Sequence, residues 1–274
     1  MYEIKLDKSN LIKKFFRNMF YLLFKIIFMI KIKTIILKDN KKIKIRIKSV
    51  LDYKFFYQKN NKIKLINNFF VYEEQETNKI IQNSNKKNIF IDLGSHHGYF
   101  SFVSSAFFEH VFSVESSKIF YKNQLRIKKE NIINNLTIIN KAIGDGSELV
   151  YQDYLSKTVS KSISLTQLLS SNKIKEKIFL KVDINGFEKF CLDELSESKK
   201  LNIDKILIDI YLNKIFTRAE LLSSLKLVLL NFRNIEVLFH IKNKINNFID
   251  YDIKNIENIF KNKDHDIITI YLSN

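Results

Sequence analysis

Three short apolar runs in this chain each end on an acid: Ile89-Phe90-Ile91 before Asp92, Val111-Phe112-Ser113-Val114 before Glu115, and Ile178 to Val182 before Asp183. Runs this short, mostly apolar and with β-branched residues, predict strands of a buried parallel sheet, Ile89-Phe90-Ile91 being apolar throughout. Leu136 to Ile139 and Lys205 to Ile210 predict two more, and Ile235 to Ile241 and Ile267 to Leu272 two closing strands. Between them the apolar positions recur at helical spacing. Tyr99, Phe100, Phe102, Val103, Ala106 and Phe107 form one such stripe, and Lys118 to Glu130 predicts a helix with Tyr121 and Leu125 toward the core. Thr217-Arg218-Ala219-Glu220 is a capping box that opens a helix to about Leu230. Residues 147 to 161 are polar and read as an ordinary loop, and residues 242 to 263, rich in Lys and Asn, as a surface helix. Strand and helix alternate, which predicts an α/β unit with helices on both faces of its sheet.

Ahead of this unit the pattern differs. Residues 9 to 31 form a helical run with one narrow polar stripe of Lys14, Arg17, Asn18, Tyr21 and Lys25. A spanning helix needs about 20 apolar residues, whereas Met19 to Ile30 is shorter and contains Lys25. Two readings are open: an amphipathic helix lying on an anionic membrane surface, or a helix packed on the protein. Binding of the chain to anionic vesicles is the measurement that separates them. From Ile32 to about Tyr72 the period shortens to two, with one hairpin predicted about Lys38-Asp39-Asn40-Lys41 and another about Lys59-Asn60-Asn61. A helix from Glu73 to Gln82 follows. The expected organisation is residues 1–31 as the amphipathic helix, 32–85 as a small β-rich cap and 86–274 as the α/β domain.

The chemistry gathers at Asn88 to Ser101, NIFIDLGSHHGYFS. A tight turn from strand to helix needs residues without a Cβ, both to reach positive φ and to let a ligand approach the backbone. Gly94 and Gly98 meet that need. Asp92 is expected to point into the crevice at the strand's carboxyl end. Glu115 lies about twenty residues beyond the glycines, where a carboxylate can take both hydroxyls of a ribose. The loop is GxxxG, with His96 where a dinucleotide fingerprint has its middle glycine. An adenosine without a bridging pyrophosphate is therefore expected, and S-adenosylmethionine is the ligand that fits.

The segments IDLGSHHGYFS, FSVE, NKAIGD, SISLTQLL and FLKVDINGFE occur in an order and spacing that resembles the FkbM-like family of S-adenosylmethionine-dependent methyltransferases, over about residues 86 to 212. The resemblance implies a Rossmann-like class I methyltransferase fold, a seven-stranded mostly parallel sheet whose last strand inserts antiparallel. It also implies a cofactor site made of Asp92, Gly94, Ser95, Gly98, Tyr99, Glu115, Ser116, Ala142, Ile143 and Asp183, the adenine lying against Ala142 and Ile143. Methyl transfer to a hydroxyl needs alignment and a base. Asp183 is the leading candidate for that base, with Glu188, His97 and His96 as further ones. Two positions depart from the family pattern. Asn185 stands where a glutamate is usual, and Gln167 where an aspartate is usual, which bears on substrate chemistry more than on the cofactor.

Composition narrows the acceptor. The chain has 274 residues, a formal net charge of +17, one cysteine and no proline. Without proline it lacks the [ND]-P-P-[YFW] loop used for exocyclic amines. Cys191 falls inside a predicted helix, which argues against attack at pyrimidine C5 and excludes an intramolecular disulfide. Oxygen is the favoured target. His110, His240 and His265 show no metal-ligand pattern. The resemblance implies a small-molecule acceptor, a sugar or glycolipid precursor of a surface glycan; the basic charge suits an acidic or membrane-bound one. No cleavable signal peptide is expected, and the cytoplasm is the expected place, with peripheral attachment at the inner face of the cytoplasmic membrane as an open alternative. Nucleic acid is not the expected partner. A ribose 2'-O-methyltransferase acting on RNA and a non-catalytic protein that keeps the fold remain as alternatives.

Overall fold

The computed structural model describes residues 32–36, 42–46, 54–59, 62–67, 70–71, 73–152, 157–196, 200–212, 214–240, 247–261 and 266–274. The helix expected over residues 9 to 31 lies outside them. The chain divides into two compact units, Met1–Glu74 and Gln75–Asn274. In the first, β1 (Ile32–Ile36) pairs antiparallel with β2 (Lys42–Arg46), and β3 (Lys54–Lys59) with β4 (Lys62–Asn67), which also pairs with β5 (Phe70–Val71). The period-two pattern thus forms two antiparallel ladders. Among the described residues no helix is long and apolar enough to cross a membrane.

The second unit opens within α1 (Glu74–Gln82), one residue after its start, and continues with β6 (Ile89–Leu93), α2 (Tyr99–Ser104), β7 (His110–Val114), α3 (Lys118–Asn131) and β8 (Leu136–Ile139). After the short β9 (Ala142–Ile143) come β10 (Glu148–Gln152), β11 (Lys157–Ile163), α4 (Leu165–Ser171), β12 (Ile178–Val182) and α5 (Glu188–Leu195). The chain closes with β13 (Ile203–Tyr211), α6 (Arg218–Leu229), β14 (Asn234–Phe239), β15 (Ile249–Asp250), α7 (Ile256–Lys261) and β16 (Ile267–Ser273). The main sheet runs β15-β14-β16-β13-β12-β6-β7-β8. Neighbours from β13 to β8 are parallel, and β16 inserts antiparallel between β13 and β14. This is the expected Rossmann-like methyltransferase sheet. It has eight strands rather than seven, because Ile249 and Asp250 pair with Val237 and Glu236.

Three local expectations are corrected. Residues 147 to 161 are not a plain loop: β10 and β11 pair antiparallel, and β11 pairs parallel with β9. The segment expected as a surface helix holds β15 and α7, and Ile256, Ile259 and Phe260 of α7 are buried in the main core. In α3 the buried residues are Phe120, Gln124 and Ile127, so the stripe sits one position from the expected Tyr121 and Leu125, and Leu125 is 40% exposed.

The two faces of the sheet differ. On one, Ile91, Leu180, Ile208 and Ile270 pack against α4, α5, α6 and α7 in a continuous apolar core that includes Cys191. On the other, Phe90, Phe108 and Phe179 pack in tilted and edge-on contacts with centroids 5.1 to 5.9 Å apart. Toward the carboxyl ends of the strands that second face turns polar. Asp92 lies opposite Lys181 in the ladder, and Asp209 opposite Thr269.

Candidate functional site

The loop from β6 to α2 is shaped by contacts that exclude side chains. Gly94 has φ +79°, and a Cβ there would lie 1.9 Å from the Asp183 carbonyl oxygen. Gly98, at φ +83°, would put a Cβ 2.7 Å from the Phe102 ring. Only glycine meets both demands at either position. The loop's amide hydrogens turn inward. Gly94 and Ser95 both donate to the Val114 carbonyl at 3.0 and 3.1 Å, and Gly98 donates to the Ser95 carbonyl at 2.7 Å. The His96 amide donates to Glu115 Oε2 at 2.6 Å. A backbone cradle for phosphate needs such donors aimed at the ligand, and four of them here serve the protein. This agrees with the GxxxG spacing and the absence of a dinucleotide fingerprint.

A buried polar knot props the loop from below. Ser113 Oγ lies 2.7 Å from Ser95 Oγ and 2.6 Å from Gln124 Oε1. Gln124 Nε2 in turn donates to Ser95 Oγ and to the His96 carbonyl, at 2.9 and 2.7 Å. Gln124 takes the place in α3 where an apolar residue was expected, which is why the helix presents a register the apolar pattern does not show.

Above the loop is a cavity of about 650 Å³ at the carboxyl edge of the parallel strands. Across the sheet it is lined by Lys141, Ala142, Ile143 and Leu149 from the β8 to β10 region, then Val114, Glu115, Ser116 and Phe120 beside β7. Gly94 and His96 follow from the β6 loop, then Asp183, Ile184, Asn185 and Phe187 after β12, and Lys214 and Ile215 after β13. Its position matches the crevice in which open α/β sheets bind ligands, and its volume is in the usual range for a small-molecule site.

Two carboxylates define it. Glu115 Oε1 accepts the Ser117 amide at 2.7 Å and, at the long distance of 3.5 Å, the Ser116 hydroxyl, while Oε2 accepts the His96 amide and keeps a lone pair for a further donor. Burial pushes its carboxyl up to about 7 against the pull of those amides. Asp183 lies one residue beyond the end of β12, with its side chain 28% exposed. The Tyr211 hydroxyl donates to its Oδ1 at 3.2 Å, and the buried Lys181 ammonium stands 3.6 Å from its Oδ2. Burial and the nearby Asp183 together raise the Tyr211 phenol, which therefore stays protonated as a donor.

The expected site residues separate into two groups. Gly94, Glu115, Ser116, Ala142, Ile143 and Asp183 line the cavity. Asp92, Ser95, Gly98, Tyr99, His97 and Glu188 stand outside its lining. Asp92 is fully buried under the loop, accepting Ser101 Oγ at 2.6 Å, and its Oδ1 has no hydrogen-bond partner. Burial raises its carboxyl, against the field of Lys181. Glu188 is buried beneath the Asn185-Gly186 turn, accepts the Gly186 amide at 2.8 Å and is pushed by burial up to about 7. The Tyr99 hydroxyl pairs with Thr77 at 3.0 Å. His97 packs edge-on against His96 and Phe120, at 4.2 and 4.5 Å between centroids.

The two departures have different characters. Asn185 sits at φ +58°, a conformation asparagine tolerates better than glutamate, and lines the cavity. Gln167 is on the surface, completing a capping box with Ser164 at the start of α4. Sequence reasoning missed Phe120, Lys141, Leu149, Phe187, Lys214 and Ile215. The available signal was position, since residues just past the carboxyl end of a parallel strand belong to the crevice. Among the described residues no group of three or more His, Cys, Asp or Glu could hold a metal ion.

No family model matches the sequence, and no curated protein matches it. Among solved structures, an rRNA methylase from Streptococcus thermophilus aligns over 73% of this chain and 95% of its own at 8% identity and a TM-score of 0.43. A putative SAM-dependent methyltransferase from Streptococcus mutans aligns over 80% of this chain and 55% of its own, at 10% identity and a TM-score of 0.47. The methyltransferase FkbM from Methylobacillus flagellatus KT aligns over 69% of this chain and 44% of its own, at 15% identity and a TM-score of 0.43.

Proposed function

We propose that this protein is an S-adenosylmethionine-dependent O-methyltransferase that acts on a hydroxyl of a small acceptor, a sugar of a surface glycan or glycolipid precursor. The observation that carries the reading is that Glu115 and Asp183, delivered by strands on either side of β6, line one cavity over the glycine loop. The residues present fit the cofactor. Glu115 can accept the ribose hydroxyls, one at the open lone pair of Oε2 and one at Oε1 in place of its long Ser116 contact, and Ala142, Ile143 and Leu149 offer an apolar wall for adenine. S-adenosylmethionine supplies an electrophilic methyl group on its sulfonium.

The protein's own part is alignment and removal of a proton. Asp183 is the group placed to accept the acceptor's hydroxyl proton, since it lines the cavity as a partly exposed carboxylate. Tyr211 and Lys181 position it from two sides, fixing the carboxylate for that role. Glu188 acts from beneath, through the turn amide it accepts, and is a positioning residue in this scheme.

The test is calorimetric titration of the full chain with S-adenosylmethionine and S-adenosylhomocysteine, beside Glu115→Gln. The wild type is expected to bind, and more tightly as pH rises through about 7, because the Glu115 carboxyl must ionise before both its oxygens accept. Glu115→Gln is expected to bind about tenfold more weakly at pH 8, with a flat pH profile. No binding at millimolar ligand would remove the enzyme reading.

A further inference from the structure

The order of strands maps the cavity from one end to the other. The β8 to β10 wall and Glu115 of the β7 edge take the nucleoside in the reading above. Asp183, from β12, stands at the middle. What lies beyond Asp183, on the β13 side, is left for the acceptor. That half is lined by Asn185, Phe187, Lys214 and Ile215.

Lys214 is held in place there. Its ammonium donates to Asn185 Oδ1 at 3.1 Å and lies 4.5 Å from the centre of the Tyr211 ring. Its stem runs against Gly186, where an added Cβ would meet Lys214 Cδ at 3.1 Å and Ile215 Cγ1 at 3.2 Å. Gly186 has φ +106°, so the turn brings bare backbone against the lysine. Among the described residues Lys214 makes no salt bridge; its partners are a neutral amide and an aromatic face. The glycine loop cannot neutralise an anion in its stead, since the amides of Gly94, Ser95, His96 and Gly98 are engaged within the protein. An ammonium held this way, with no counter-charge among the described residues and in a cavity that Phe187 also lines, suits an anionic group attached to a ring-shaped polar molecule.

We propose that Lys214 is a specificity residue of the acceptor half, and that the acceptor is an acidic sugar whose carboxylate or phosphate it binds. The inference rests on the methyltransferase reading for what the other half of the cavity holds. It also gives Asn185 a part. A glutamate at 185 would pair with Lys214 and cancel the charge, whereas Asn185 orients the ammonium and leaves it available.

The experiment titrates the full chain, saturated with S-adenosylhomocysteine and also without it, with glucuronate, glucose 6-phosphate and glucose. Wild type, Lys214→Met and Lys214→Arg are compared. An acidic sugar is expected to bind the wild type, to lose about tenfold in affinity in Lys214→Met, and to recover in Lys214→Arg. Glucose is expected to bind weakly and alike in all three. The stronger of the two acidic ligands names the anionic group. Acidic sugars that bind no better than glucose, or equally to Lys214→Met, overturn the proposal. So does a Lys214→Met variant that loses S-adenosylhomocysteine instead, which would assign the lysine to the cofactor's carboxylate. If the wild type binds Lys214-dependent acidic sugars but no S-adenosylhomocysteine, the cofactor reading fails and the anion site stands.

Discussion

On one face of the sheet Ile91, Leu180 and Ile208 join an apolar core against four helices; on the other their chain neighbours Asp92, Lys181 and Asp209 gather beneath the site. The same three strands build both, because successive side chains of a strand point to opposite faces. The apolar face draws on many interchangeable contacts. The polar face depends on few. Lys181 pairs with Asp183 at 3.6 Å, and its field works against burial at Glu76, Asp92 and Asp209, so one ammonium serves four carboxyl groups. The lesson is that stability on one face is distributed and insensitive to pH, whereas on the other it is concentrated in a single cation and tied to protonation.

Removing that cation should break the comparison most severely. Lys181→Met is expected to cost about 3–5 kcal/mol at pH 8, measured by denaturant unfolding. The cost should shrink at pH 5. Without the ammonium the surrounding carboxyls ionise only at higher pH, so the native variant holds more protons and loses stability more steeply as pH rises. Leu180→Ala, one residue away on the other face, should cost about 3 kcal/mol at either pH. An equal, pH-independent loss in both variants would defeat the distinction.

A smaller effect of opposite sign sharpens it. Burial, and then Asp183, raise the Asp209 carboxyl from 3.8 to about 7. A raised acid holds its proton in the native state, so its stability contribution falls as pH climbs from about 4 through about 7. Asp209→Asn keeps an oxygen for the Thr269 hydroxyl that donates to it and removes the ionisation. It is expected to melt about 5 °C higher than the wild type at pH 8 and at the same temperature at pH 4. A variant that melts lower at pH 8 would mean that the charge of Asp209 is needed.

Much of this was legible in the sequence, for a physical reason. A buried parallel strand is mostly apolar, so an acid near its carboxyl end stands out, and Asp92, Glu115 and Asp183 mark the edge at once. Which of them faces the cavity was not legible. Asp92 is still inside its ladder, one residue before Leu93, and the pleat turns it toward Lys181. Asp183 is one residue past its ladder and can turn to the ligand. The hairpin of β10 and β11 was hidden because its polar residues blur the alternation. Lys214 was hidden for a different reason: nothing in its own segment distinguishes it from the chain's many lysines. Only Gly186, Asn185 and Tyr211, two of them nearly thirty residues upstream, single it out.

The contact between Gly94 and the Asp183 carbonyl gives one position unusual reach over sequence change. A side chain at 94 would be felt first by the loop that carries Asp183 and Asn185, on a different strand and almost ninety residues away. Drift in the loop after β12 is likewise confined to conformations that keep its backbone on that glycine. The loop after β6 can thus be remodelled only while position 94 stays bare, and it shares with the loop after β12 a single seam along which neither can be changed without the other.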